Sequence, residues 1–289
     1  MLAARLSVST APSASAAAAD LHVHTTASDG SLSPAECAAH AHLAGLQVLA
    51  ITDHDTMDGV AGARAAAPAD LLVIPGIEFG CRWPGSSSEI HILGYGCDPE
   101  QTEFAGELRA LREARTERAS AIVRRLNQLG LPITLADVHR HAGQGTIGRP
   151  HIARALVERG CVADAAEAFA RYLNPGAPAY VDHYRPTPGR AIALIRAAGG
   201  VPVLAHPGTI ADDAVVRAVL DLGLAGVEVY HPAHGADDVC RYLDMARRRG
   251  LLVTGGSDFH GPGSEGAPIG SHGVSRAEVN ALLRLLGLA

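Results

Sequence analysis

The chain has 289 residues, of which 47% are hydrophobic and 19% are charged. This length suits one large domain, or one domain that carries an insertion. The formal net charge of −6 argues against a dedicated non-specific nucleic-acid binder, which would present a basic surface. All 24 basic side chains are arginine, so chemistry that needs a lysine base or a lysine Schiff base is excluded.

The N-terminal segment and the cysteines bear on location. Residues 1–18 are rich in Ala and Ser and lack the apolar core of a signal peptide, so we expect a disordered tail. No apolar run reaches the roughly 18 residues that a membrane span needs. The five cysteines are scattered without a C-x-x-C pair, which is typical of buried thiols in a reducing compartment. We therefore expect a cytoplasmic protein with no membrane association and no stable protein partner.

Seven apolar, β-rich runs alternate with helical patterns along the chain. Ser33–Glu36 forms a capping box with proline at the first helical position, and Thr187–Pro188 opens a later helix. Several runs are almost continuously apolar, as strands are when helices cover both faces. The alternation predicts a mostly parallel sheet with right-handed crossovers. The seven runs are Ala19–His24, Gln47–Asp53, Leu71–Phe79, Glu89–Tyr95, Val201–His206, Gly226–His231 and Leu251–Asp258.

The alternation breaks in residues 100–177, where no convincing strand pattern is present. A long amphipathic pattern there includes Leu108 and extends to Leu129, and shorter helical patterns follow it. We interpret this stretch as a helical insertion or cap between the fourth and fifth strands, with the barrel in residues 19–99 and 178–289. Seven strands with interleaved helices favour an α/β fold of the closed or distorted barrel type over a doubly wound open sheet.

Ionisable residues stand at the ends of the predicted strands, where barrel enzymes build their sites. His22 and His24 share one face of the first strand, because residues two apart in a strand point the same way. Taken singly, each candidate also has an ordinary structural explanation, such as turn chemistry for Asp29. Together they favour two or three divalent cations (Mn, Zn or Fe), since the set contains no cysteine and exceeds what one cation uses. The candidate ligands are His22, His24, Asp29, His54, Glu78, His91, His206, Asp258 and His260.

Such a centre is suited to phosphoryl transfer. The cations orient phosphate oxygens, generate hydroxide near neutral pH and stabilise the leaving oxygen. An amidohydrolase acting on a C–N bond is one alternative, although such enzymes often use a bridging carboxylated lysine that this chain cannot make. A non-catalytic, metal-stabilised interaction module is a second alternative.

Short motifs at these strand ends resemble the PHP (polymerase and histidinol phosphatase) family. The segment Gly148–Leu156 is similar to one subgroup, the nucleoside 3′,5′-bisphosphate phosphatases and 5′–3′ exoribonucleases. The resemblance covers the chain from about residue 19 to its end. The motifs are D-L-H-x-H-T-x-x-S-D-G (Asp20–Gly30), T-D-H-D-T (Thr52–Thr56), G-I-E (Gly76–Glu78), I-H-I-L-G-Y (Ile90–Tyr95), L-A-H-P (Leu204–Pro207) and S-D-F-H (Ser257–His260).

The resemblance implies a distorted (β/α)7 barrel with a trinuclear metal site. It divides the candidate ligands into three sets, two of which share Glu78. The first set is His22, His24, Glu78 and Asp258; the second is Asp29, His54 and His260; the third is Glu78, His91 and His206. The implied activity is hydrolysis of a phosphate monoester, with a nucleotide such as a 3′,5′-bisphosphonucleoside, or short RNA, as substrate. A pathway-specific phosphatase of the histidinol-phosphate or nucleoside-product type is the alternative within the family.

A metal-bridging hydroxide would attack phosphorus in line, and named residues would assist. Arg149 stabilises charge in the transition state, His231 donates a proton to the leaving group, and Asp258 belongs to the catalytic set as well as to the metal ligands. The residues expected to contact the substrate are Arg149, His151, His183 and His234. We expect Asp53 and Asp55 to orient the ligating imidazoles.

Overall fold

The computed structural model describes residues 17–85, 89–210, 212–262 and 267–288. Its seven strands follow one another in chain order in a single sheet. The first and last strands approach through a bridge between Val23 and Phe259, so the sheet curls into a nearly closed barrel and the predicted distorted seven-stranded α/β barrel is confirmed. The tail expected at residues 1–18 lies outside the described residues, except for residues 17 and 18. The strands are β1 (Ala19–Val23), β2 (Val48–Ile51), β3 (Leu72–Arg82), β4 (Glu89–Tyr95), β5 (Val201–Leu204), β6 (Gly226–Tyr230) and β7 (Leu252–Gly255).

Helices connect most of the strands. The capping box predicted at Ser33 is present: its hydroxyl accepts from the Glu36 amide, and the Glu36 carboxylate accepts from the Ser33 amide. Within the described residues, no helix is long and apolar enough to cross a membrane. The helices are α1 (Pro34–Leu43), α2 (Gly59–Ala66), α3 (Thr102–Gln128), α4 (Leu135–Ala142), α5 (Arg149–Glu158), α6 (Ala165–Ala168), α7 (Pro188–Ala197), α8 (Asp213–Leu220), α9 (Ala236–Arg249) and α10 (Arg276–Leu285), with a π-helical turn at Phe169–Leu173 and a 3₁₀ turn at Pro207–Thr209.

The strand β4 runs opposite to both of its neighbours. Gly76 pairs with Tyr95 across β3 and β4, and Tyr95 pairs in turn with Val201 at the start of β5. The physical reason is the short connection from β3, residues 83–88, since a parallel crossover needs a dozen residues or more. As a result β4 ends at the opposite end of the barrel from the strand ends that carry the ionisable residues.

Three apolar clusters hold the molecule together. One lies between the strands and the surrounding helices and includes Ile51, Ile77 and Tyr242. A second fills the barrel, where Leu21 and Tyr95 meet the inner side of α10. The third belongs to the insertion and begins in the second half of α3, with Ile122, Leu126, Val138, Ile152, Leu156 and Leu173 among its members.

The helix α3 takes part in two of these clusters. Phe104 and Leu111 in its first half pack in the first cluster, between the strands and the surrounding helices. Ile122 and Leu126 in its second half pack in the cluster of the insertion. With 27 residues, α3 is about 40 Å long, which is enough to pass along the barrel and beyond its end. The insertion is therefore carried on a helix that is also part of the barrel wall.

A buried carboxylate closes the seam between β1 and β7. Asp20 Oδ1 accepts hydrogen bonds from the amides of Ser257 (3.0 Å) and His22 (3.2 Å), and its Oδ2 accepts from the Gly270 amide (2.7 Å). Asp20 is fully buried. Its side chain thus replaces part of the missing strand ladder and fixes the segment that follows β7 against β1.

Candidate metal centre

The predicted ligands converge at the carboxyl-terminal mouth of the barrel. His22 lies in β1, Glu78 in β3 and His91 in the reversed strand β4, while the others follow the ends of β1, β2, β5 and β7. Three groups have ligand atoms that all lie within 4.8 Å of one another. These groups are His22, His24, Glu78 and Asp258; His24, Asp29, His54 and His260; and His54, Glu78 and His91.

The first group has the spacing of a metal shell. His22 Nε2 lies 3.4 Å from Glu78 Oε1 and 3.3 Å from Asp258 Oδ1, and His24 Nε2 lies 3.2 Å from Glu78 Oε2 and 3.1 Å from Asp258 Oδ1. Ligands placed about 2.0–2.1 Å from a tetrahedral cation are about 3.3 Å apart. The four side chains therefore fit around a single cation.

The second group joins the loops after β1, β2 and β7. His260 Nε2 lies 3.4 Å from Asp29 Oδ1, His54 Nε2 lies 4.0 Å from Asp29 Oδ2, and His24 Nδ1 lies 3.9 Å from Asp29 Oδ1. The structure thus adds His24 to the three residues that the resemblance assigned here. This group is more open than the first, because His54 and His260 are only partly buried.

The third set is assembled around Glu78. His91 Nδ1 and His206 Nε2 lie 2.8 and 3.0 Å from Glu78 Oε1, and the two nitrogen atoms are 3.2 Å apart. His54 Nδ1 lies 2.9 Å from the other carboxylate oxygen. Glu78 therefore touches members of every set, as the assignment of a bridging carboxylate requires.

Buried polar atoms support a cation at this cluster. Within the described residues, His22 Nε2, both ring nitrogens of His24, Glu78 Oε2 and Asp258 Oδ1 are buried but make no hydrogen bond. Leaving such atoms without a partner costs free energy. A cation in the first group would satisfy His22 Nε2, His24 Nε2, Glu78 Oε2 and Asp258 Oδ1, while His24 Nδ1 faces Asp29 of the second group.

The hydrogen bonds of three imidazoles also support a metal ion at this cluster. Each Nδ1 lies beside an acceptor that is not a candidate ligand atom. The acceptors are the Glu228 carboxylate for His22 (3.1 Å), the Thr209 hydroxyl for His206 (3.1 Å) and the backbone carbonyl of Asp258 for His260 (2.8 Å). With the proton on Nδ1, each Nε2 turns a lone pair towards a carboxylate. That contact is repulsive without a cation between the two, which is the arrangement of a metal-ligating histidine.

The carboxylates also change the proton affinity of the ligands. Burial alone would lower the pKa of His91, but the Glu78 and Glu89 carboxylates raise that pKa to about 10. For His24, the Asp258 and Glu78 carboxylates likewise outweigh burial and raise the pKa to about 10. Protons and metal ions therefore compete for these nitrogen atoms.

Two aspartates do not have the role that we expected. Asp53 accepts from the Thr25 amide (2.7 Å), the Thr25 hydroxyl (2.7 Å) and the Ser28 hydroxyl (2.6 Å), so it shapes the loop after β1. Asp55 accepts from the Gly80 amide and forms an ion pair with Arg115. The prediction that these side chains orient imidazoles directly is wrong, because their oxygen atoms are occupied by backbone, hydroxyl and guanidinium groups.

The residue that does support an imidazole is Glu228, which the motifs did not identify. Its fully buried carboxylate contacts His22 Nδ1 and accepts from the His206 amide (2.8 Å). A signal was available, since Glu228 is the single charged residue in the apolar strand Gly226–Tyr230, as Glu78 is in the apolar run Ile74–Phe79. The same reasoning that selected Glu78 would have found it.

A cleft of about 320 Å³ opens beside the cluster and is lined by His91, Glu89, Thr209, His231 and several other site residues. Arg149, the first residue of α5, lies at its edge with Nη2 3.6 Å from Glu89 Oε2. His231 accepts from the Ala233 amide at Nδ1 (3.0 Å), so its proton sits on Nε2, which lies 3.3 Å from Asp258 Oδ2. The predicted roles of Arg149 and His231 remain predictions.

Of the three other histidines expected to contact the substrate, two make structural hydrogen bonds through their rings. His234 donates from Nδ1 to the Val229 carbonyl (2.8 Å) and accepts at Nε2 from the Gly208 amide (3.0 Å), so its ring links β6 to the loop that carries His206. His151 is buried and accepts from the Gly148 amide at the start of α5. His183 lies among arginines, and its two ring nitrogens have no hydrogen-bond partner within the described residues. Of the three, only His183 keeps both nitrogens available for a ligand.

The backbone is unusual at the same place. Asp55, His206 and Asp258 are the non-glycine residues with positive φ in the described chain, at 55°, 23° and 49°. Such conformations are costly for residues with a side chain and concentrate at functional sites. A seven-stranded α/β barrel with this strained histidine and carboxylate cluster at its mouth defines a metal-dependent hydrolase.

Comparison with known proteins gives the same class and a family. A family model described as "PHP domain" matches residues 20–172. The chain is 37% identical over 258 residues to a 3′,5′-nucleoside bisphosphate phosphatase from Chromobacterium violaceum, covering 87% of this chain and 90% of that one. It is 36% identical over 251 residues to the 5′–3′ exoribonuclease Rnm of Escherichia coli, covering 84% and 85%.

A solved structure from Bifidobacterium adolescentis, described as a metal-dependent phosphoesterase, superposes with a TM-score of 0.85 at 34% identity and covers 92% of this chain and 96% of its own. The chain belongs to the PHP family, as its motifs predicted. It is a metal-dependent phosphoesterase whose relatives include the bisphosphate phosphatases and the Rnm exoribonucleases.

Proposed function

We propose that the protein hydrolyses a phosphate monoester of a nucleotide carrying a second phosphate, with two or three divalent cations bound by the three ligand groups around Glu78. The single observation that carries this proposal is that the cluster opens into a cleft with Arg149 and Arg185 at its edge, where both contact Glu89. Manganese, zinc and iron all suit imidazole and carboxylate ligands. Such cations supply Lewis acidity and activate water near neutral pH.

Positive charge is concentrated on the insertion side of the cleft. Arg185 Nη1 lies 3.1 Å from Glu89 Oε1, and Arg149 contacts the same carboxylate. Burial and the neighbouring Arg149 and Arg115 guanidinium groups lower the pKa of Arg118 to about 10. Burial and the nearby Arg118 and Arg115 lower the pKa of His183 to about 3, so this imidazole is neutral at physiological pH. Apart from the Arg115–Asp55 pair, three guanidinium groups (Arg118, Arg149 and Arg185) stand against two carboxylates (Glu89 and Asp182), and this excess of positive charge favours a substrate with more than one phosphate.

Side chains of this protein would do the remaining work. Arg149 can bind non-bridging phosphate oxygens and stabilise the charge that develops on them. His231 carries a proton on Nε2 at the cleft wall, where it could protonate a departing oxygen. Asp258 accepts that hydrogen bond and also belongs to the first ligand group, so it links the proton donor to the cluster.

A mononucleotide fits the cleft better than a long RNA. Its volume of about 320 Å³ lies at the lower end of the range for small-molecule sites. The relatives are named both as a bisphosphate phosphatase and as exoribonucleases, so short 5′-phosphorylated RNA is the second candidate substrate. Histidinol phosphate is the third; it has one phosphate and would leave the arginine cluster unused.

The decisive experiment is a substrate profile with Mn²⁺-loaded enzyme. We expect release of phosphate from adenosine 3′,5′-bisphosphate with kcat/KM above that for a short 5′-phosphorylated RNA or histidinol phosphate. Arg149→Ala should lower kcat/KM by about 100- to 1000-fold without changing metal content. Arg171→Ala is the control, because Arg171 is an exposed arginine of the same insertion. A preference for histidinol phosphate, or loss of metal from Arg149→Ala, would contradict the proposal.

The proposal extends to a cytoplasmic enzyme. All five cysteines are free thiols in the structure, and burial raises the pKa of Cys37 and Cys97 to about 12, which makes both poor nucleophiles. These thiols suit a reducing compartment.

A further inference from the structure

The helical insertion contacts the loops that carry one of the ligand groups. The loop after β2 contains His54 and Asp55, and the loop after β1 contains Asp29. Both loops are bonded to residues of α3, of α5 or of the segment between α4 and α5. Within the described residues, neither Arg115 nor Arg154 lines the cleft.

The first contact is a buried ion pair. Arg115 of α3 donates from Nε (2.7 Å) and Nη2 (2.5 Å) to Asp55 Oδ2. Asp55 is almost completely buried, has positive φ and directly follows His54. Its other oxygen accepts from the Gly80 amide of β3, two residues beyond Glu78. Arg115 thus fixes the turn that places the His54 imidazole.

The second contact acts on Asp29. Arg154 of α5 donates from Nη2 to the Asp29 carbonyl (2.8 Å), and the Thr146 amide donates to the Ala27 carbonyl (2.9 Å). Gly145 lies so close that a Cβ added there would stand 2.4 Å from the Thr26 carbonyl oxygen. The loop after β1 is therefore pressed against the insertion along Thr26–Asp29.

The first ligand group has no such support. His22 is oriented by Glu228 of β6, and the amide of His22 and the residue before Asp258 are fixed by Asp20 of β1. Within the described residues, no hydrogen bond or ion pair joins the insertion to His22, Glu228 or Asp258. The barrel alone builds this group.

We propose that the insertion is a working part of the metal centre, in which Arg115 and Arg154 are positioning residues for the group of His24, Asp29, His54 and His260. This group depends on the docked insertion, and the group of His22, His24, Glu78 and Asp258 does not. The inference rests on the proposed metal-dependent function. Groups that orient metal ligands typically contribute about 10- to 100-fold to metal affinity, so each group should lose affinity independently.

The test is Mn²⁺ binding to the metal-free full-length protein, measured by calorimetry and by metal content after equilibrium dialysis. Arg115→Gln and Arg154→Met should weaken one class of Mn²⁺ site by about 10- to 100-fold and leave the rest unchanged. Glu228→Gln should weaken a different class by a similar factor. Arg154→Lys should restore binding, because one donor suffices for a carbonyl, whereas Arg115→Lys cannot replace two donors.

Arg112, about one helical turn before Arg115 in α3, provides a matched control. Arg112 of the same helix forms an ion pair with Asp58, but both side chains are more than half exposed, so Arg112→Gln should leave every class of site intact. Equal weakening of all classes, or unchanged binding with only a lower unfolding temperature of the metal-free variants, would overturn the inference. Failure of the proposed function would appear differently, as wild-type protein that binds Mn²⁺ normally but releases no phosphate from nucleotides.

Discussion

The two halves of the metal centre are built by different means. Around His22 and Asp258, every supporting contact comes from the barrel, and the support is a buried carboxylate on a neighbouring strand. Around Asp29 and His54, the supporting contacts come from arginines of the insertion. The first half therefore depends on the sheet, whereas the second half also depends on the insertion and its separate apolar core. One centre thus combines a rigid part with a part whose geometry can be altered from outside the barrel.

The largest effect should follow from changing Glu78, which belongs to the first half and contacts His54 of the second. Glu78→Gln keeps the shape of the side chain but removes the charge that faces His22, His54, His91 and His206. We expect kcat/KM to fall by at least about 1000-fold, equivalent to about 4 kcal/mol, together with loss of metal from more than one class of site. Glu107→Gln is the control, since Glu107 is a buried carboxylate that contacts Tyr184 and Arg190 instead. A Glu78→Gln enzyme with normal metal content would refute the bridging role.

The next effect should separate the halves. Gly145→Ala places a methyl group against the Thr26 and Ala27 carbonyls and must push the insertion away from the loop after β1. We expect weaker Mn²⁺ binding at the class of site that Arg154→Met affects, by about 10-fold or more. Gly106→Ala on α3 has open space around the new methyl and should be neutral or stabilising by up to about 1 kcal/mol. Equal behaviour of the two alanine variants in calorimetry would argue against close docking.

A third substitution weakens the barrel side alone. Asp20→Asn removes one of the acceptor atoms that serve the amides of Ser257, His22 and Gly270. A buried amide left without an acceptor lowers the free energy of unfolding by about 1–3 kcal/mol. Urea unfolding of the metal-free protein measures this loss, and Arg154→Met should show a much smaller one. Similar losses for both variants would mean that the two halves do not differ in their contribution to folding.

The smallest effect concerns acid and the insertion. Burial lowers the pKa of His151 from its ordinary 6.5 to about 4, and its neutral Nδ1 accepts the Gly148 amide. Between these two values the unfolded chain binds more protons than the folded one, so stability falls as the pH falls from 6.5 to 4.

His151→Gln keeps an acceptor at this capping position and does not titrate. The variant should therefore lose about 1–3 kcal/mol less than the wild type over that interval in urea unfolding of the metal-free protein. His139→Gln, an exposed histidine of α4, should leave the wild-type dependence unchanged. A His151→Gln curve that coincides with that of the wild type would show that His151 is not neutral in the folded protein.

The sequence was most informative where chemistry and strand ends coincide. His22, Glu78 and Asp258 could be found because each ionisable residue interrupts or ends an apolar run, and burial of such a group needs an explanation. The same rule would have identified Glu228. The reversal of β4 could also have been predicted from the sequence, since residues 83–88 are too few for a parallel crossover.

The support from the insertion was beyond the reach of sequence patterns. Arg109, Arg112, Arg115 and Arg118 all belong to one charged helix, and which of them is buried depends on where α3 lies along the barrel. Arg115 pairs with the buried Asp55 directly after His54, whereas Arg112 pairs with Asp58 at the surface. Such a distinction arises from tertiary placement rather than from local spacing, and no motif records it.

The long helix α3 has a consequence for how substrates enter. Its first half is fixed in the barrel and its second half in the insertion, and between residues 107 and 128 it contains neither glycine nor proline, the usual causes of a kink. A hinged lid needs a flexible hinge, and this part of α3 does not provide one. We therefore expect substrate to enter and product to leave through the open cleft without a hinged movement of the insertion.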